Sequence, residues 1–131
     1  MSNAEAIMQG YLLLREAIYN RAVLDYYAAL IDYDDGRKKE IEEFLKSEFY
    51  YVNEKVGQYI ISKAKRELEL VEVFVDEFFA SEKSSIFIDP SEISTDCIGI
   101  YVRHRFPNNL KLQQKSNDKL FLVLKKPLKM A

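Results

Sequence analysis

Cys97 and His104 are the only cysteine and histidine in the chain. A thiol within reach of an imidazole would form a nucleophile–base pair. The two lie seven apart in residues 97–106, where Ile98, Ile100 and Val102 alternate with Gly99, Tyr101, Arg103 and Arg105. That alternation predicts a strand. In a strand an odd separation sends side chains to opposite faces, so a dyad would need a bulge between them. Cys97 is expected to be a small buried hydrophobe and His104 a partly exposed sheet residue. One cysteine and one histidine cannot supply the usual zinc sets. The four glycines (Gly10, Gly36, Gly57, Gly99) are too scattered for a phosphate-cradling loop.

Asp32, Asp34 and Glu43 have the spacing of the first, third and twelfth ligands of a calcium loop. Gly36 and Arg37 then occupy the fifth and sixth positions, and the sharp turn needs glycine at the sixth. A solvated turn between two helices is the expectation. Glu42–Glu43 and Glu69/Glu72 are close in sequence, but acid–base catalysis needs a carboxyl held in a desolvated pocket. A solvated helix face is expected for both pairs. No catalytic, cofactor or metal-binding residue is assigned, and the chain is read as not an enzyme.

The basic C-terminal segment is the best functional candidate. Between Ile98 and Ala131 stand eight Lys/Arg against one acid, Asp118. Residues 1–80 hold ten Lys/Arg and sixteen Asp/Glu, and residues 81–131 hold nine and five, balances of −6 and +4 within a total of −2. Tyr101, Arg103 and Arg105 share one face of the expected strand, and Lys125 and Lys126 follow the last strand. A basic β surface bearing an aromatic suits phosphate contact and base stacking. Lysines also protect sheet edges from aggregation. A basic end can equally meet the acidic helices of a second copy.

These groups must be positioned by an acidic helical front and a cationic β-structured back. Residues 5–31 predict a helix on the spacing Ile7, Tyr11, Leu14, Ile18, widened by Leu12 and Leu13. Leu24, Tyr27 or Ala28, and Ile31 continue it. Gly36 reads as a turn or C-terminal residue, with Asp34 or Asp35 as the next cap. Ile41, Phe44 and Leu45 predict a helix over 38–47. Phe49, Tyr50, Tyr51 and Val52 form an apolar knot without resolved periodicity. Val56, Tyr59, Ile60, Ala64, Leu68, Val71, Val75 and Phe78 predict a helix over 54–80, in which Gly57 either costs stability or admits a neighbouring backbone. The alternative is a strand from near Leu70.

Beyond the polar hinge at 81–85, strands are expected at 86–88, 97–106, 110–114 and 120–124. Asp89-Pro90, Pro107-Asn108-Asn109 and Ser116-Asn117-Asp118 mark turns between them. The fold class expected is α+β: N-terminal helices packed with a small C-terminal antiparallel sheet. One domain spans 1–131, with a helical part at 5–80 and a β part at 86–126; residues 1–4 read as a tag remnant. Among the 131 residues, 48% are hydrophobic and 31% charged, enough apolar material for a core without staples.

The helical half resembles small uncharacterised proteins of prophages and conjugative elements in Gram-positive bacteria. The residues that carry the likeness are Glu16-Ala17-Ile18, Ala22, Tyr26 and Ala29-Leu30, then EIEEFLKSEF at 40–49 and GQYII at 57–61. It covers about residues 11–68 and excludes the β-rich tail. The resemblance implies a mobile-element context and brings no activity or catalytic residues. No apolar run reaches bilayer length, no signal-peptide pattern opens the chain, and one cysteine suits a reducing compartment. A cytoplasmic protein without cofactor, metal or membrane is therefore expected. Its expected role is protein–protein interaction, as a homodimer or with another partner; the alternative is nucleic-acid binding through Tyr101, Arg103, Arg105, Lys125 and Lys126.

Overall fold

The computed structural model describes residues 2–46 and 54–125, with side chains except at 11–16, 19 and 54–56. Tyr11, Leu12, Leu13, Leu14, Val56, the knot at 49–52 and the candidate site residue Lys126 lie outside these descriptions. Three helices come first: α1 (Asn3–Ile31), α2 (Asp35–Lys46) and α3 (Glu54–Ala80). Then follow β1 (Ser85–Phe87), α4 (Thr95–Arg105), β2 (Leu110–Gln114), a 3₁₀ turn (Ser116–Asp118) and β3 (Leu120–Leu124). The α+β class expected from the sequence is the one observed. Among the described residues, no helix is long and apolar enough to cross a membrane.

At 1.5 Å per residue, the 29 residues of α1 span about 43 Å. Residues 2–10 are exposed and the C-terminal half is packed. Tyr26, Tyr27, Ala29 and Ile31 are buried there, because α2, α3 and α4 each take part of the surface. The helix stops at Tyr33, which adopts a positive φ of 55°. Asp34 then caps α2, its Oδ1 accepting from the Arg37 N–H at 3.1 Å. Gly36 therefore lies inside the first turn of α2 and does not end α1, a correction to the turn expected from its type. An ion pair from Arg37 to Asp25, 3.5 Å, ties α2 back to α1.

In α3, Ile61, Ala64, Leu68, Val71, Val75 and Phe78 are buried at alternating steps of three and four. The helical reading of 69–80 holds. Tyr59, expected on this stripe, is instead 62% exposed, and Ile61 takes the inward place. Gly57 does admit a backbone: α2 ends against it. A Cβ at Gly57 would stand 2.5 Å from the Leu45 carbonyl carbon and 2.8 Å from Lys46 Cα, with the Leu45 oxygen closer still.

The main departure is residues 97–106, expected to be a strand and observed as helix α4 with Phe106 as its C-cap. Ser94 starts it, Oγ accepting from the Cys97 N–H at 3.2 Å. Asp96 in the first turn and Arg103, His104 and Arg105 in the last complement the helix dipole. The six residues from Cys97 to Val102 are all buried, because α1, α3 and β2 cover this helix on three sides. A helix so enclosed has apolar side chains all round and loses its 3.6-residue signature. Phe106 then packs edge-on to Phe79 at 5.1 Å and Tyr101 at 5.8 Å, fastening α4 to the end of α3.

The sheet thus has three strands where four were expected. β3 is central and antiparallel to both neighbours, in the order β1-β3-β2. Ile86 and Leu112 both face Leu122, and Leu110 faces Leu124. Leu110 and Leu122 are buried in the shared core. The β2–β3 hairpin turns through Asn117 (φ 74°) and Asp118 (φ 57°), residue types that tolerate the left-handed region.

Candidate functional site

The five expected nucleic-acid residues do not share a sheet face. Tyr101 is 5% exposed, its ring inside the aromatic contact with Phe106. Arg105 is a clamp between α4 and α1. Its guanidinium donates to the Ile31 carbonyl at 2.8 Å, filling one orphan acceptor at the end of α1. It also lies 4.9 Å from the centre of the Tyr33 ring and 5.9 Å from that of Tyr101. Arg103 points elsewhere, lining one groove with Arg21, Asp25, Asp96 and His104 and a second with Lys111 and Lys125. Lys125 donates to the Pro107 carbonyl. The surface built from Tyr101, Arg103 and Arg105 fails because a helix separates side chains that a strand would align.

The Cys97–His104 pair also separates. Seven residues of helix put them about 10 Å apart along the axis. Burial pushes the Cys97 thiol up to about 12, with the nearby Glu67 and Glu72 carboxylates adding to the effect. It is an interior hydrophobe, as expected from its type. His104 is at the exposed end of α4, not on a sheet, with Nδ1 2.9 Å from Asp32 Oδ2. Asp34 is committed to capping α2. Among the described residues, no group of three or more His, Cys, Asp and Glu is placed to hold a metal ion.

Two phenols tie the helices together from inside. Tyr26 donates to Glu42 at 2.9 Å, and Lys65 reaches the same carboxylate at 3.6 Å. Tyr27 donates to Glu67. Burial, then the adjoining carboxylate, raises both phenol pKa values well above 10. An open cleft of about 480 Å³ lies beside Tyr27, lined also by Tyr59, Lys63, Glu67, Ser94 and Asp96. Glu67 is held by Tyr27 and sits 4.0 Å from Lys63.

Two surfaces among the described residues carry exposed apolar side chains beside charged ones. The first is the outer side of α3. Arg66, Leu70, Val73 and Glu77 are exposed at steps of four, three and four, opposite the buried stripe. Leu70 is 48% and Val73 55% exposed. Around them α3 carries Lys63 and Arg66 toward its start and Glu69, Asp76 and Glu77 toward its end.

The second is the outer side of the sheet. Strand register puts Phe87 opposite Phe121 and Lys111 opposite Val123, with Gln113 on the far side of Phe121. The two rings meet at 5.7 Å. Lys115 Nζ lies 4.3 Å over the Phe121 ring, and Lys119 Nζ 5.6 Å over the Phe87 ring. A basic, aromatic-bearing β face therefore exists, made of other residues than those expected. Its signal was the odd-numbered set Lys111, Gln113, Lys115 and Phe121, Val123, legible only once the hairpin register is known.

No match to this chain was found among protein-family models, curated proteins or solved structures.

Proposed function

We propose that this is a non-enzymatic interaction protein that self-associates along the outer face of α3. The observation that carries this reading is the self-complementary row Arg66, Leu70, Val73, Glu77. Two α3 helices laid antiparallel about a two-fold axis near the middle of this row bring Leu70 of one copy to Val73 of the other. The same axis brings Arg66 of one copy to Glu77 of the other, and again in reverse. Such isologous pairing is the usual geometry of a dimer. Opposed basic and acidic halves set the antiparallel direction and disfavour the parallel one. With a small apolar centre, the interface belongs with weak, reversible pairs. The mobile-element context and a cytoplasmic setting remain part of the proposal, resting on the likeness of the helical half and on cysteine usage.

Sedimentation equilibrium over a hundredfold concentration range tests this. The native chain is expected to shift from monomer to dimer. Arg66→Glu is expected to remain monomeric, and Arg66→Glu combined with Glu77→Arg to recover the dimer. The two positions are eleven residues apart, about 16 Å along one helix, so recovery reports contact between copies. A native chain that stays monomeric throughout refutes the proposal.

A further inference from the structure

We infer that the outer face of the sheet is a binding site for single-stranded nucleic acid, with bases stacking on Phe87 and Phe121. The face combines the two things such a ligand requires. The paired phenylalanines give an apolar platform, Phe87 being 43% exposed and Phe121 half-buried. Every base has a π-face, so stacking on such rings does not depend on sequence. Lys111, Lys115 and Lys119 surround the platform, and the strand-paired residues of this face (Ser85, Phe87, Lys111, Gln113, Phe121, Val123) include no acid. Lys111 on β2 and Lys115 just past its end are four residues apart, about 13 Å in extended chain, so they flank the rings along the strand direction.

The charge here is available. Among the described residues Lys111, Lys115 and Lys119 make no ion pair; Lys115 and Lys119 rest over the rings. A polyanion satisfies these ammonium groups while its bases take the ring surface. A duplex hides its base faces in its own stack and can use only the lysines. An acidic peptide or an anionic membrane would meet the same charge but would not need the two rings, which are tilted 59° to each other and so offer separate faces. This site is built from strand residues and shares none with the α3 row, so it does not depend on self-association.

The test is fluorescence anisotropy with labelled oligonucleotides of about 15 residues: oligo-dT, oligo-rU and a duplex, at 50 and 200 mM salt. Oligo-dT and oligo-rU are expected to bind more tightly than the duplex, and the ratio between them reports the preferred sugar. With three lysines engaged and a single-strand slope near −0.7 per contact, affinity is expected to fall about 18-fold between the two salts. Lys115→Gln with Lys119→Gln is expected to reduce that fall to about threefold. Phe87→Leu keeps the apolar contact and removes the aromatic face. It is expected to weaken single-strand binding about tenfold with an unchanged salt slope. Circular dichroism and melting of each variant confirm that it is folded. Absence of single-strand binding, tighter duplex binding, or a folded Phe87→Leu variant of native affinity overturns the inference. So does binding to mixed phosphatidylserine–phosphatidylcholine vesicles without binding to oligonucleotides.

Discussion

Replacing Gly57 with alanine would add one methyl group where α2 ends against α3. Inside a helix, that exchange normally gains about 1 kcal/mol from backbone entropy. At Gly57 the new Cβ would meet the Leu45 carbonyl carbon at 2.5 Å and Lys46 Cα at 2.8 Å, and the Leu45 oxygen nearer still. All three atoms are backbone, so no side-chain rotation relieves them, and the helices must separate by about 1 Å near their contact. Overpacking costs about 1–3 kcal/mol where side chains can adjust. A backbone clash belongs at or above the upper end, so the net loss is about 2 kcal/mol or more after the propensity gain. For 131 residues, that is a fall in Tm of about 7 °C. Gly10→Ala is the control, since nothing lies within 4 Å of a Cβ there. It is expected to leave stability unchanged or raise it by up to about 1 kcal/mol. Urea and thermal unfolding followed at 222 nm measure both. A Gly57→Ala protein as stable as the native one would show that α2 and α3 do not cross at this point, and the three-helix packing described above would be wrong.

Other consequences are more local. Cys97 is expected to be silent to thiol reagents in the native protein and to react fully on denaturation, because burial holds its thiol protonated up to about 12; fast native labelling would contradict its placement. The Tyr26 and Tyr27 phenols have folded pKa values raised above the unfolded 10, so their contribution is complete below pH 10 and is lost as pH rises beyond it. That contribution is therefore expected to be lost in the alkaline range, with the Tyr26 and Tyr27 phenols absent from the native absorbance titration at 295 nm. Tyr26→Phe removes the bond to Glu42 and is expected to cost about 1 kcal/mol in urea unfolding. Arg105→Lys keeps the charge but loses the planar group that reaches the Ile31 carbonyl over Tyr33, for a loss of about 1 kcal/mol.

The sequence alone determined the helical front. The spacing of Ala64, Leu68, Val71, Val75 and Phe78 reports one buried stripe, and the aspartates after Ile31 report a turn and a cap, because these are local properties of amphipathic helices. It also determined that strands lie near 86, 110 and 120, where turn residues and alternation agree. What it could not decide was residues 97–106. Their apolar positions are set by three covering neighbours, so both periods fit and alternation misled. Ser94 and Asp96 before the run, and three basic residues at its end, were the local signs of a helix. The candidate sites depend on the same distinction. Arg105 and Arg103 diverge because helical geometry turns each residue by about 100°, while Phe87, from a distant strand, joins Phe121 only through the register of β3. Which side chains share a surface is a property of pairing between remote segments, and no local pattern in the chain encodes it.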